Sequence, residues 1–446
     1  MSISELYKVY LAHPDITTDS RQCPHGSIFF ALKGERFDGN QYAEDVLANG
    51  CSYAVVDDPT VVPHNHTEQY ILVSNVLETL QQLAAYHRRQ LNIPVVGITG
   101  TNGKTTTKEL INAVLSQRYR VLATEGNYNN QIGVPLTLLR IKDEHQIAII
   151  EMGANHPMDI AELCEIVHPD FGLITNVGKA HLMGFRSLEG VVDAKTKLYE
   201  SLRASNGTVF VDAGNSLLLP KVDGIRQIQY GCGADVNGEV VSCAPYLQLK
   251  LNVKGASVSV STHLIGSYNL INVLAAAAVG NHFGISSQQI KIAVENYQPK
   301  NMRSQLIDLG HGNKLILDAY NANPTSMAAA LNSFASNSEE HKNLILGDMR
   351  ELGEESAHEH YQILQMIINQ NVTYDSVLLV GQEFTSAFMQ LPDAGLHALA
   401  QHTSRCYADV EALKHDASAW SNLCGTTLIK GSRGIRLEQI LTVLQN

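Results

Sequence analysis

A glycine-rich run, Gly97-Ile98-Thr99-Gly100-Thr101-Asn102-Gly103-Lys104-Thr105-Thr106-Thr107, stands between an apolar segment, Pro94–Thr99, and a segment with Leu110, Ile111, Val114 and Leu115 at helical spacing. Strand, glycine turn and helix in that order commit this part of the chain to a mostly parallel sheet covered by helices. The same run reads as a phosphate loop. Its glycines let backbone N–H groups close around phosphates, Lys104 reaches the β/γ-phosphates, and the Thr105 hydroxyl is placed for Mg²⁺. Gly100, Thr101, Asn102, Gly103, Lys104, Thr105 and Thr106 are therefore expected to hold a nucleoside triphosphate. One position departs from the usual spacing, which would put glycine where Ile98 stands; Gly97 and Gly100 bracket it.

Strand-like runs recur between helical stretches on both sides of this loop. Upstream are Ile28–Leu32, a glycine-bearing loop over 34–39, a helix from about Gln41, the strand Tyr53–Val56 and a helix from about Leu77 to Gln90. Downstream are strands at 146–151, 171–176 and 208–211, then alternating β-rich text over 246–262, expected as antiparallel strands, and an alanine-rich helix over 270–279. The pattern breaks at Gln298-Pro299-Lys300-Asn301-Met302-Arg303, the candidate hinge. Strands at 314–318, 343–347, 376–380 and 427–430 follow, and the spacing Ser356-x-x-Glu359 predicts a capping box. The expectation is an α/β chain of three domains: residues 1–85, a central phosphate-loop domain over 86–300 with a mostly parallel sheet, and a Rossmann-like domain over 301–446. A chain of 446 residues with 44% apolar content can bury cores for all three.

The balance of 32 basic against 44 acidic residues gives a net charge of −12, which argues against nucleic acid or a membrane surface as partner. Seven dispersed cysteines without a CxxC pair point to free thiols and a reducing compartment. The opening segment MSISELYKVYLAHPD has neither a basic leader nor an apolar core, and no apolar run approaches the ~18 residues that span a bilayer. A cytoplasmic, monomeric protein is expected.

Chemistry in such sheets gathers at the carboxyl ends of strands. Glu151 ends one strand run and Asn176 another, with His181 close behind. A strand-end carboxylate serves as readily to cap a helix or face solvent as to bind metal, and a lone histidine is often structural. Beside a phosphate loop that needs a hard cation, Glu151 is a plausible oxygen ligand. The run Glu125–Pro135, dense in Asn and Gly, reads either as a surface loop or as a recognition loop. Asn269 and Asn272 lie one turn apart at the start of the alanine-rich helix.

The segments GITGTNGKTTTKEL, EGNYNNQIGVPLTLL, IIEMGANHPMDI, ITNVGKAHLMGF, AKTKLYESL, YNLINVLAAAA, LDAYNANPTSM, LGDMRELGEESAHEH and LIKGSRGIRLEQI together resemble the Mur ligase family. Asp19-Ser20-Arg21 and the stretch Ala31–Gly39 extend the resemblance to the N-terminal region. It implies an ATP- and Mg²⁺-dependent amide ligase. YNANP, GDMRELG and KGSR point to the branch that joins D-alanyl-D-alanine to UDP-N-acetylmuramoyl-tripeptide, and disfavour third-residue addition or a folylpolyglutamate-type ligase.

The resemblance further implies Lys104 on the ATP phosphates, Thr105 and Glu151 on one Mg²⁺, and His181 on a second. Asn127 and Asn272 would lie near the adenine, and Arg303 and Asp318 would contact phosphate and ribose. Lys195 matches a lysine that relatives carry as a carbamate beside the second metal, although as a bare residue it also reads as a solvated helix lysine. Catalysis would thus involve Lys104, His181 and Lys195. Ser20 and Arg21 would hold the uridine diphosphate end, and Asn321, Asn323 and Arg350 would approach the dipeptide. Two positions depart from the family pattern: Tyr268 stands where histidine is usual, and Asp318 is followed by Ala319 rather than preceded or followed by a second acid.

Overall fold

The five residues Val95–Thr99 are all buried, as a strand covered by helices on both faces requires. In the computed structural model, which describes residues 1–444 apart from 66, 301, 401, 421 and 422, this strand lies near the middle of a six-stranded parallel sheet. The order across that sheet is 226–230, 208–212, 171–174, 95–99, 147–151, 121–123. The first strand in sequence is therefore flanked by the third and the fourth. Chain direction across the sheet reverses there, and the crevice beyond a strand at such a switch point is where an α/β sheet accepts ligands. The phosphate loop occupies it.

A four-stranded parallel sheet (16–17, 28–30, 53–56, 70–72) precedes the central one, and the loop at 34–39 includes a small hairpin pairing 33–34 with 37–38. The helix Val76–Gln90 joins the two sheets. Leu80, Leu83 and Ala84 on it are buried in one core with Ile28, Phe30 and Val55 on one side and with Leu138, Ile150 and Leu163 on the other. The boundary expected after residue 85 falls inside this helix. Tyr10 donates to the Leu139 carbonyl at 2.7 Å, and Arg88 donates to the carbonyls of Val167 and His168 at 3.0 Å, adding polar ties between the same parts.

The alternating text at 246–262 forms two strands of a separate antiparallel sheet (236–242, 248–253, 256–261). Its buried residues Leu249, Leu251 and Val260 pack on the alanine-rich helix, Asn269–His282. Small side chains at 275–278 let that helix sit close both to this sheet and to the phosphate-loop helix, Lys104–Leu115.

The third sheet runs 305–310, 313–318, 426–430, 342–347, 376–380, 403–407, and only its first strand is antiparallel. The last strand in sequence, 426–430, inserts between 313–318 and 342–347, so the carboxyl ends of 313–318 and 426–430 also meet at a switch point. The capping box expected at Ser356 is absent. The helix Ser356–Asn369 is entered through a 3-10 turn, Gly353–Glu355, which makes Ser356 its first residue rather than its cap. Ser356 Oγ donates to Glu383 at 2.7 Å instead, and Glu359 turns inward to meet Lys179 of the central part at 2.6 Å. Of the expected hinge segment 298–303, Asn301 lies outside the described residues; Met302 and Ser304 adopt left-handed backbone, with φ of 58° and 47°.

Candidate active site

A cavity of about 610 Å³ opens where the carboxyl ends of the central and third sheets face each other. The phosphate loop forms one wall. Gly100, at φ 147°, passes so close to Thr175 that a Cβ would stand 2.0 Å from its hydroxyl, and Gly103, at φ 76°, would press a Cβ onto Asn272 at 2.8 Å. Both positions demand glycine, one for close approach and both for backbone conformation. Gly103 caps the helix Lys104–Leu115 without a side-chain acceptor, so the first-turn N–H groups face the cavity with the positive end of the helix dipole. Asn176 fixes the loop from the neighbouring strand, accepting from Asn102 N at 3.0 Å and donating to the Asn102 carbonyl at 3.0 Å.

Lys104 curls over the loop and donates to the carbonyls of Gly100 (2.7 Å) and Thr101 (3.1 Å). Burial lowers its pKa; Glu151 opposes the shift and Arg303 adds to it. Thr105 Oγ1 donates to Glu151 Oε1 at 3.2 Å, and Asn129 Nδ2 donates to the same oxygen at 2.8 Å. The other carboxylate oxygen, Oε2, is buried without a donor. A carboxylate that is 1% exposed with one oxygen left open suits a hard cation, and the adjoining Thr105 hydroxyl supplies a second oxygen of the same kind.

The opposite wall belongs to the third sheet. Asp318, at the end of 313–318, pairs with Lys430, at the end of 426–430, at 2.5 Å and accepts from Ser304 N at 3.2 Å. The Arg303 guanidinium lies 4.1 Å above the Tyr320 ring, with Arg433 5.2 Å from the same ring, and Arg303 Nε is buried without a partner. Asn323 caps the helix Pro324–Ala335 and also donates to the Asn102 side chain at 2.8 Å, so a loop residue of one wall is bonded to a helix cap of the other.

Of the residues singled out from sequence, Thr101 to Thr106, Asn127, Glu151, His181, Asn272, Arg303, Asp318, Asn321 and Asn323 line this cavity. Asn272 accepts from Thr107 at 3.1 Å and donates to Asn269 at 2.8 Å, which sets it against the phosphate loop. His181, at φ 50°, brings its Nδ1 against the Glu351 carboxylate, and this contact lowers the Glu351 pKa. Five residues stand apart from the cavity wall; one is Gly100, packed against Thr175 behind the loop. Lys195 is buried beneath it at 2% exposure, its ammonium 5.7 Å from the Phe185 ring. Burial first, then Lys104, drives its pKa well below the lysine value. Arg350 is exposed near Gly434, and Ser20 and Arg21 sit in the turn that follows strand 16–17 of the N-terminal sheet, with Arg21 doubly bonded to Asp19 at 2.8 Å.

Sequence reasoning gave no role to Lys430, Tyr320 or Asn129. Lys430 ends a strand and was accessible to the same rule that marked Glu151; Tyr320 opens YNANP and Asn129 lies in the 125–135 run, which marked their segments but not these residues, whose partners come from other segments.

Three family models match in chain order: the Mur ligase family catalytic domain over residues 15–88, the Mur ligase middle domain over 98–280 and the Mur ligase glutamate ligase domain over 302–433. A Bacillus subtilis relative named UDP-N-acetylmuramoyl-tripeptide–D-alanyl-D-alanine ligase is 33% identical, over 99% of this chain and 96% of its own length. The chain belongs to the Mur ligase family. An Escherichia coli relative of the same name is 34% identical, over 96% of this Mur ligase and 93% of its own chain. A crystal structure of MurF from Acinetobacter baumannii is 30% identical and superposes with a TM-score of 0.86, covering 100% of this chain and 98% of that one. The arrangement described above is thus that of a Mur ligase throughout.

Proposed function

We propose that this Mur ligase uses ATP to join D-alanyl-D-alanine to UDP-N-acetylmuramoyl-tripeptide, making a peptidoglycan precursor in the cytoplasm, and that it does so as a monomer. The observation that carries the reading is the cavity shared by the phosphate loop and the carboxyl end of the third sheet, in a chain whose near-full-length relatives bear that name. Among the described residues no helix is long and apolar enough to cross a membrane. Residues 1–85 would bind the UDP-sugar-peptide, with Ser20 and Arg21 at its diphosphate end. Residues 86–300 would bind ATP, and 301–446 the dipeptide, approached by Asn321, Asn323 and Arg350.

In the reaction a carboxylate oxygen of the tripeptide attacks the γ-phosphorus, ADP leaves, and an acyl phosphate results. The dipeptide amine then attacks the acyl carbon, the C–O bond to phosphate breaks, and the amine proton is lost. Lys104 and the loop N–H groups hold charge on the transferring phosphoryl oxygens, where alignment and electrostatics supply most of the acceleration. Arg303 adds charge from the facing wall, Asp318 binds the ribose, and Asn127 and Asn272 flank the adenine. Thr105 and Glu151, whose open oxygen fits a hard cation, would hold one Mg²⁺, and His181 a second. Bound there, Mg²⁺ supplies further neutralisation of phosphate charge. Lys195 takes up CO₂ as a carbamate, releasing a proton; the lowered pKa favours the neutral amine that this addition requires. The two walls, bridged by Asn102 with Asn323 and by Lys179 with Glu359, exclude water from the acyl phosphate.

The test is release of ADP with each substrate alone and with both. Release that requires UDP-N-acetylmuramoyl-tripeptide and D-alanyl-D-alanine together supports the reading; release driven by a free amino acid in place of the dipeptide rejects it.

A further inference from the structure

Tyr268 precedes the helix Asn269–His282 without capping it, and its side chain turns instead into the cavity wall. Its ring lies over Gly266, where a Cβ would come within 2.3 Å of it, so the backbone at 266 is cleared for this ring. Its hydroxyl is 3.1 Å from Ser304 Oγ, across the junction between the central part and the third sheet. Ser304 in turn donates its N–H to Asp318 at 3.2 Å while holding a left-handed φ of 47°, two residues after Met302 at 58°. Two non-glycine residues in that region cost energy and persist only where their surroundings hold them. One helical turn after Tyr268, on the same face, Asn272 bears on Gly103 and Thr107 of the phosphate loop.

We propose that Tyr268 is a positioning residue for the nucleotide. Resting on the ATP reading of the cavity, it ties the strained 302–304 linker to the helix that buttresses the phosphate loop. Asp318 is thereby set at a fixed distance from the phosphates. The hydroxyl reaches no reacting atom; it acts through Ser304. Without it the linker relaxes, Asp318 loses a fixed N–H donor, and the ribose end of the site loosens while the phosphate end stays intact.

The experiment compares Tyr268→Phe, Ser304→Ala and the double variant in the full-length enzyme. KM for ATP and Kd for ADP are measured, alongside KM for the two other substrates. Phenylalanine keeps the ring over Gly266, so folding is preserved. Losing one hydroxyl–hydroxyl bond should raise KM for ATP and Kd for ADP about fivefold in each single variant. The double variant should show no further increase, since both changes break the same link. KM for the UDP-linked substrate and the dipeptide should stay within about twofold. Unchanged ADP affinity in Tyr268→Phe, or fully additive effects in the double variant, overturns the proposal. A wild-type protein that binds no ADP refutes the reading of the cavity itself, which separates the two failures.

Discussion

Removing the Lys104 ammonium separates the charge of the phosphate loop from its shape. Lys104 bonds two loop carbonyls, but the loop is also held by Thr101 N to the Asn176 carbonyl at 2.9 Å, Asn102 N to Asn176 Oδ1 at 3.0 Å, and Thr175 Oγ1 to the Asn102 carbonyl at 2.6 Å. Those bonds survive in Lys104→Ala. The two freed carbonyls lie beside the cavity that Lys104 lines, where solvent can bond them, so the loss of folding stability should be no more than about 1 kcal/mol. Turnover should behave differently. A preorganised donor aimed at developing charge contributes about 2.7–4 kcal/mol, so kcat should fall about 10²–10³-fold. Lys104→Met, which keeps the apolar stem, should fall equally. The assay is steady-state ADP release with all three substrates saturating, alongside thermal denaturation of each variant. A kcat within a few-fold of wild type, with Tm preserved, would refute the phosphate-loop assignment. A large drop in Tm would show that the lysine serves the loop's architecture rather than its charge.

Two further outcomes are expected. Lys195→Ala should lose most activity while still binding ADP, and formate or acetate should restore part of it by supplying an anionic oxygen in the vacated space; full activity would dismiss the residue, and inactivity without rescue would remove the carbamate. His87 is buried between the Tyr7 hydroxyl (3.1 Å) and the Ile141 carbonyl (3.0 Å), and burial lowers its pKa below 6.5 despite the latter bond. The unfolded chain then binds more protons than the fold, so stability should rise with pH up to about 6.5 and decline on acidification below it. His87→Gln should flatten that slope in denaturation curves taken between about pH 5 and 7, leaving the same-signed contributions of His168 and His282; an unaltered slope would exclude His87 as a contributor.

Strands buried on both faces were legible because each writes itself as a largely apolar run with its polar residue at one end: 95–99, 147–151 and 376–380 are of this kind. Edge strands were not. Arg226–Tyr230 and Thr403–Tyr407 expose much of their length and carry polar residues, and Gln305–Gly310 pairs only on one side. The phosphate loop and Glu151 were readable because a local motif and a strand end mark them. On the facing wall, Arg303 and Asp318 were named only through the family resemblance, because that wall, with Tyr320 and Lys430, forms only when 426–430 inserts beside 313–318, more than a hundred residues away in sequence. The misplaced capping box has a similar origin: Glu359 had a stronger partner in Lys179, from a segment no local pattern connects to it.

The helix Val76–Gln90 has a bearing on how the molecule comes apart. Because its residues belong to one core with both flanking sheets, the first two sheets have no dry seam between them along which to separate. The third sheet is built differently: its two cores draw on the rest of the chain chiefly through Leu182, Tyr246 and Ile265. Heating or denaturant should therefore dissolve the protein as two cooperative blocks rather than three, with the first block spanning residues 1 to about 300. A chain cut at residue 85 would split a helix in mid-turn and separate Tyr86 and His87 from Tyr7 and Tyr10. A cut in the polar stretch after residue 296 would split no helix or strand and would break into a core only at Leu182, Tyr246 and Ile265, so it is there that the polypeptide can be divided, recombined or grafted with least disruption.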